Sequence, residues 1–297
     1  MSLILAGCKE SMTETEISGI GMQSCRQSAP FIRKLGFDPS RTAFSSSEKN
    51  MKGLAIFELP KPGDTIKKLW QHKTWSQFGY MGSITTDENG NAYTAPIPFV
   101  NTLDNPVSII NRIYKVDAQS SELKLFAILP QADTSPGVVP HGVLGLFYDC
   151  HGHKLYAASV AGSTMEKENG ILYMLDPATG KVLDELKGFD ACGVFVGGIT
   201  GEKKLYFGHA RTPNIYTVSL DKEGYFDGKP EIALSLDQLG PRGDDKARRI
   251  RYDQYGNLMV FGVEFNFNLA AQSDKPETVY QFGYNRVEKK WLLMKIH

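Results

Sequence analysis

Tyr148-Asp149-Cys150-His151-Gly152-His153-Lys154-Leu155-Tyr156-Ala157, followed after a variable loop by Leu172-Tyr173-Met174-Leu175-Asp176-Pro177-Ala178-Thr179-Gly180-Lys181, is a phrase that this chain writes about five times. An apolar stretch ends in Asp, a tight turn follows, and an aromatic-centred strand leaves the turn. After the loop comes a second strand and a hairpin. The register shows at Phe37-Asp38, Thr86-Asp87, Tyr148-Asp149, Ile199-Thr200 and Tyr252-Asp253. Turn chemistry follows in Asp87-Glu-Asn-Gly90-Asn and Asp253-Gln-Tyr-Gly256-Asn, and in the variant Thr200-Gly201-Glu-Lys. The second strand recurs as Ile56-Phe-Glu-Leu59, Ile113-Tyr-Lys-Val-Asp117, Ile215-Tyr-Thr-Val218 and Val279-Tyr-Gln-Phe282. A period of about 50 residues containing only strand-like segments is that of a blade repeated around an axis.

Each unit reads as four antiparallel strands, A to D, with A nearest the axis. Blade 1 covers residues 31–73, blade 2 covers 80–131, blade 4 covers 192–236 and blade 5 covers 248–297. Blade 3 runs from strand A at 143–149 to strand D at 182–187. Between its strands C and D, Asp176-Pro-Ala-Thr-Gly180 puts Pro early and Gly where positive φ is demanded. Blade 1 receives its own strand A at 30–37, so closure would rest on packing of blade 5 against blade 1. The expected fold is an all-β propeller of five four-stranded blades, with helix nearly absent; six blades is the alternative. Residues 30–297 form one propeller domain, and 1–29 a signal remnant and flexible tether.

Antiparallel order sends all A–B and C–D turns to one face and all B–C and D–A loops to the other. The second set is long: 95–110, 131–142, 160–170, 237–247 and 264–277. Loops held over a rigid scaffold are where function concentrates.

The 33 basic and 33 acidic residues cancel, so nothing electrostatic favours nucleic acid or an anionic membrane surface as partner. A mean hydropathy of -0.27 suits a soluble domain, and no apolar run reaches the ~18 residues of a membrane span. Leu5-Ala6-Gly7-Cys8 follows the lipobox pattern, in which the Cys is lipidated. Only a short apolar stretch precedes it, as if the signal were trimmed or the start misassigned. A lipid at Cys8 is then the only expected membrane contact, and the bacterial cell envelope the expected location. Cys25, Cys150 and Cys192 have no C-x-x-C spacing, and if Cys8 is lipidated at least one of them is free. No metal site is expected from them.

Asp87-x-x-Gly-Asn-Ala-Tyr93 and the 172–181 phrase resemble blades of the NHL, TolB-like and gluconolactonase-like propellers. With Cys8, the chain resembles a bacterial envelope lipoprotein carrying a propeller. The gluconolactonase-like resemblance implies one divalent metal on the axis, held by Glu, Asn and Asp, in a six-bladed ring.

Several residues on the long-loop face are candidates for ligand binding. Arg242, Arg249 and Arg251 lie in the densest charged stretch and could clamp a carboxylate or phosphate. The competing reading is a salt network of Asp244 and Asp245 that braces the loop. Glu264 and Asn266 alternate with Phe265 and Phe267, and are oxygen ligands of a kind that suits Ca²⁺ or sugar hydroxyls. His141, Asp190, His209, Arg211 and Trp75 join them. His151 and His153 occupy an exposed A–B turn and read as turn residues, and the recurring Asp as a turn organiser. No phosphate loop, nucleophile elbow or H-E-x-x-H occurs. With Asp190 the only carboxylate near the start of an A strand, a glycosidase pair is not apparent. The sequence therefore points to a non-catalytic propeller, without cofactor, that binds a small polar ligand or protein partner. The alternative is a metal-dependent hydrolase or lactonase of gluconolactonase-like type.

Overall fold

A computed structural model of the chain describes residues 19–22, 27–46, 51–60, 68–97, 103–130, 137–199, 201–267 and 276–297. Each Asp-turn phrase folds as a hairpin, and the hairpins pair into five antiparallel sheets. Blade 1 holds β1 (Thr42–Ser46), β2 (Leu54–Glu58) and β3 (Lys68–Trp70). Blade 2 holds β4 (Met81–Thr86), β5 (Ala92–Pro96), β6 (Arg112–Val116) and β7 (Leu123–Ile128). Blade 3 holds β8 (Val143–Asp149), β9 (Lys154–Ser159), β10 (Ile171–Leu175) and β11 (Val182–Lys187). Blade 4 holds β12 (Ala191–Ile199), β13 (Glu202–His209), β14 (Asn214–Leu220) and β15 (Phe226–Ser235). Blade 5 holds β16 (Lys246–Tyr252), β17 (Leu258–Val263), β18 (Thr278–Asn285) and β19 (Lys290–Ile296). The protein is an all-β, five-bladed propeller with almost no helix, as the repeat predicts.

One element departs from the expected strands. Residues 30–37, read as strand A of blade 1, instead begin with a short helix, α1 (Pro30–Lys34). Phe31 and Ile32 of this helix are both buried. Pro30 at the first helical turn gives up no hydrogen bond there. Phe31 packs edge-on against Phe44 and Trp75, with centroids 6.2 Å away in each case. Blade 1 therefore shows three paired strands among the described residues, and β1 rather than a fourth strand packs against β4.

The innermost strands β4, β8, β12 and β16 succeed one another around the axis. Glycine lets them approach: a Cβ on Gly193 would lie 2.5 Å from the Ala247 carbonyl oxygen. An innermost strand has a sheet partner on one side only, so some of its amides need other acceptors. Ser83 and Thr85 of β4 provide them, their hydroxyls accepting from the Leu146 and Tyr148 amides at 3.0 Å each. Aromatic rings fill the wedges between blades, with Phe195 5.4 Å from Phe147 and 4.9 Å from Tyr252.

Candidate functional site at the long-loop face

The repeated Asp does turn work. Asp87 Oδ1 accepts from the amides of Asn89 and Asn91 at 2.9 and 2.8 Å. Asp253 Oδ1 does the same for Tyr255 and Asn257. His153 sits in the corresponding turn of blade 3 with φ 49° and lies 3.1 Å from Glu88.

At the opposite face, the loops leaving β9, β11 and β13 converge on one polar cluster. Asp190, fully enclosed, is its centre. Its Oδ1 accepts from Ser163 Oγ at 2.5 Å and the Gly170 amide at 2.9 Å. Its Oδ2 accepts from Arg211 Nε at 2.6 Å. Arg211 also donates to the carbonyls of Met165, Thr164 and Lys167, and its guanidinium lies over the Phe267 ring at 4.9 Å. Burial pushes the Asp190 carboxyl up, against the pull of Ser163 and Arg211.

Beside it stands Glu168, which sequence reasoning did not single out. Its Oε1 accepts from His209 Nε2 at 2.7 Å and from the Asp190 amide. His209 is fixed in turn by Thr212 Oγ1, 2.8 Å from Nδ1. Burial alone would raise the Glu168 carboxyl, but the bonds from His209 and the Asp190 amide outweigh it and hold the group below the usual range. Glu168 Oε2 takes no hydrogen bond from a described residue, and 28% of the side chain is exposed. The group is an ionised, oriented carboxylate with one oxygen toward solvent. In the sequence Glu168 and Glu166 look alike; only the position of His209, from another blade, separates them.

His141 and Cys192 lie under the same mouth. His141 packs edge-on against Phe265 and Phe267, with centroids 5.5 and 6.1 Å away. It is 8% exposed and its Nδ1 has no partner, so burial lowers its pKa from 6.5 to about 4. The folded state must keep this imidazole neutral. At neutral pH that costs nothing; as pH falls below 6.5 the unfolded chain binds the proton and folding loses stability, until the native histidine also protonates near pH 4. The loss should reach about 3 kcal/mol at acid pH. Urea melts between pH 4 and 7.5 should show this slope in the wild type and a flatter one in His141→Leu; equal slopes would show that His141 is not its source. Cys192 is a free thiol, its pKa pushed up to about 12 by burial, and is unreactive. Cys150, by contrast, is disulfide-bonded.

The remaining candidates do not gather here. Arg242 braces its own loop: it pairs with the enclosed Asp245 and donates to Thr278 Oγ1 at 2.8 Å and the Gly262 carbonyl at 3.2 Å. That is the salt network weighed above as the competing reading. Ile250 and Tyr252 of β16 pack toward blade 4, so alternation turns Arg249 and Arg251 to the other flank. There both are exposed and lie over Phe261, at 4.3 and 4.9 Å, and Arg249 pairs with Glu277 at 2.5 Å. Glu264 and Asn266 are exposed at the end of β17, while Phe265 and Phe267 turn inward to His141. Trp75 is fully buried between blades 1 and 2, its Nε1 donating to the Ser121 carbonyl at 2.8 Å, and offers no surface to a ligand. Cys8 lies outside the described residues. Among those residues no group of three or more His, Cys, Asp or Glu side chains converges as a metal would require.

No family model matches the chain, and no curated protein matches it. Solved structures do. The chain is similar to a candidate 6-phosphogluconolactonase from Bacteroides uniformis, with TM-score 0.51 and 13% identity over 86% of this chain and 67% of that one. A second candidate 6-phosphogluconolactonase, from Bacteroides fragilis, gives TM-score 0.52 and 13% identity over 86% and 68%. An exo-β-1,3-galactanase from Phanerochaete chrysosporium gives TM-score 0.51 and 10% identity over 86% and 60%. At these identities the likeness establishes the propeller fold. The expectation of a non-catalytic binding propeller is nevertheless corrected: the propellers that this chain is similar to carry the names of enzymes, and its long-loop mouth holds an oriented, ionised carboxylate.

Proposed function

We propose that this protein is a hydrolase of a sugar-derived cyclic ester, with Glu168 as general base at the long-loop mouth. The observation that carries the reading is the state of Glu168: Oε1 is held by His209 and the Asp190 amide, and Oε2 is left toward solvent. A base needs ionisation and fixed direction, and this carboxylate has both. Glu168 Oε2 takes a proton from water as the water oxygen attacks the lactone carbonyl carbon. The ring C–O bond then breaks, and the proton returns to the departing alkoxide, giving a hydroxy acid. Four of the five Arg211 N–H groups are engaged, leaving one on Nη1 to polarise a carbonyl.

A glycosidase needs a second working carboxyl. Asp190 is enclosed and both of its oxygens are committed, which favours ester over acetal hydrolysis. The names of the two Bacteroides propellers agree with a lactone substrate. No step is routed through a metal. The test is hydrolysis of glucono-δ-lactone and its 6-phosphate above the spontaneous rate, with 4-nitrophenyl glycosides as the contrast. Lactones left at their spontaneous rate would refute the reading.

The envelope location remains part of the proposal. The disulfide at Cys150 supports it, because such bonds persist in oxidising compartments. Expressed behind a complete lipoprotein leader, the wild type should partition with membranes and Cys8→Ser with the soluble fraction. Finding both forms soluble would remove the anchor.

A further inference from the structure

A cavity of about 450 Å³ opens on the opposite, short-turn face, away from Glu168. Its walls come from the ends of blades 4 and 5 and from the turn at residues 19–22. That turn is tightly seated: Ile20 is 1% exposed, and its carbonyl accepts from the Gly198 amide at 3.1 Å. Gly21 has φ 84°, and a Cβ there would strike the Phe195 ring at 2.6 Å. The wall is therefore built from parts with one available arrangement. The volume falls in the range of roughly 300–1,000 Å³ common for small-ligand sites.

The lining has a consistent chemistry. Tyr252, Tyr255, Tyr284 and Trp291 supply aromatic surface. Three of them interlock, with Trp291 5.1 Å from Tyr284 and 6.0 Å from Tyr252. Tyr255 stands at the rim, 76% exposed, on a turn fixed by Asp253. An exposed tyrosine on a rigid turn is a stacking platform that loses little entropy on binding. Asn257 spends Nδ2 on Asp253 at 2.9 Å, which leaves Oδ1 to accept a hydroxyl proton. Arg286, also in the lining, makes no ion pair or hydrogen bond with a described residue.

We propose that this cavity is a second site, which binds a pyranose ring carrying a carboxylate. The apolar face of the ring would lie on the tyrosines, a hydroxyl would meet Asn257, and its carboxylate would pair with the Arg286 fork. An apolar ligand would make no use of Asn257 or Arg286, and a neutral sugar would make none of the arginine's charge.

Titration calorimetry with glucuronate, and with glucose as the neutral comparison, tests the assignment. Glucuronate should bind saturably, and glucose about tenfold or more weaker. Arg286→Ala should weaken glucuronate about ten- to hundredfold, the loss of a charge-assisted bond. Tyr255→Ala should weaken both sugars. Both side chains are exposed, so neither variant threatens the fold. Glu168→Gln should leave the affinity unchanged, which separates this site from the long-loop mouth whether or not a lactone is hydrolysed there. No saturable heat with glucuronate, equal affinities for the two sugars, or an unaltered affinity in Arg286→Ala would each overturn the proposal. So would loss of binding in Glu168→Gln.

Discussion

Glu168→Gln is expected to lower lactone hydrolysis about 10²- to 10⁴-fold, the usual contribution of a positioned general base, while leaving the melting temperature near that of the wild type. The amide is nearly isosteric with the carboxylate. Its oxygen can still accept from His209 Nε2 and the Asp190 amide, so the loop geometry survives. What disappears is the proton acceptor at the second oxygen. The pH profile checks the same assignment. The carboxyl is held below the usual glutamate range, so the wild-type acid limb should lie in that low region and activity should be flat through neutrality. Unchanged turnover in the glutamine variant would remove Glu168 from the chemistry, whatever substrate the protein accepts.

Asp190→Ala should produce the largest loss of stability among single changes on this face. Removing the carboxylate leaves the Arg211 guanidinium without its counter-charge, and orphans the Ser163 hydroxyl and the Gly170 amide as well. Breaking a buried charge pair from one side costs about 3–5 kcal/mol, which in a domain of this size corresponds to a fall of about 10 °C in melting temperature. Asp190→Asn keeps an acceptor for the Ser163 hydroxyl and the Gly170 amide and should lose less. Thermal unfolding of the two variants decides it. An alanine variant that melts with the wild type would mean that water already satisfies Arg211, and that the cluster does not hold the loops together.

How the site is assembled explains why only part of it was legible. Asp190, His209 and Arg211 could be placed on the right face because strand order alone determines which ends of the strands point there. Glu168 could not, since what distinguishes it from Glu166 is a hydrogen bond to a histidine 41 residues away. Trp75 was misread for the opposite reason. A loop aromatic looks available in one dimension, whereas here Phe31 of α1, Phe44 of β1 and Trp70 of β3 enclose it. Arg249 and Arg251 of β16 stood out as charge on the long-loop side, but what their side chains meet, Phe261 and for Arg249 also Glu277, depends on the pairing of the strands.

The sequence by itself determined the repeat, the number of blades and the turns, because these rest on local rules: alternation, Asp-capped turns, and Gly where φ is positive. It also determined which face carries the long loops. Only the tertiary structure decided that 30–34 is helical, that Arg242 is spent on Asp245, that Glu168 meets His209, and that a cavity opens on the short-turn face. Each of these depends on contacts between segments far apart in the chain, where burial and the demand for hydrogen-bond partners outweigh local preference.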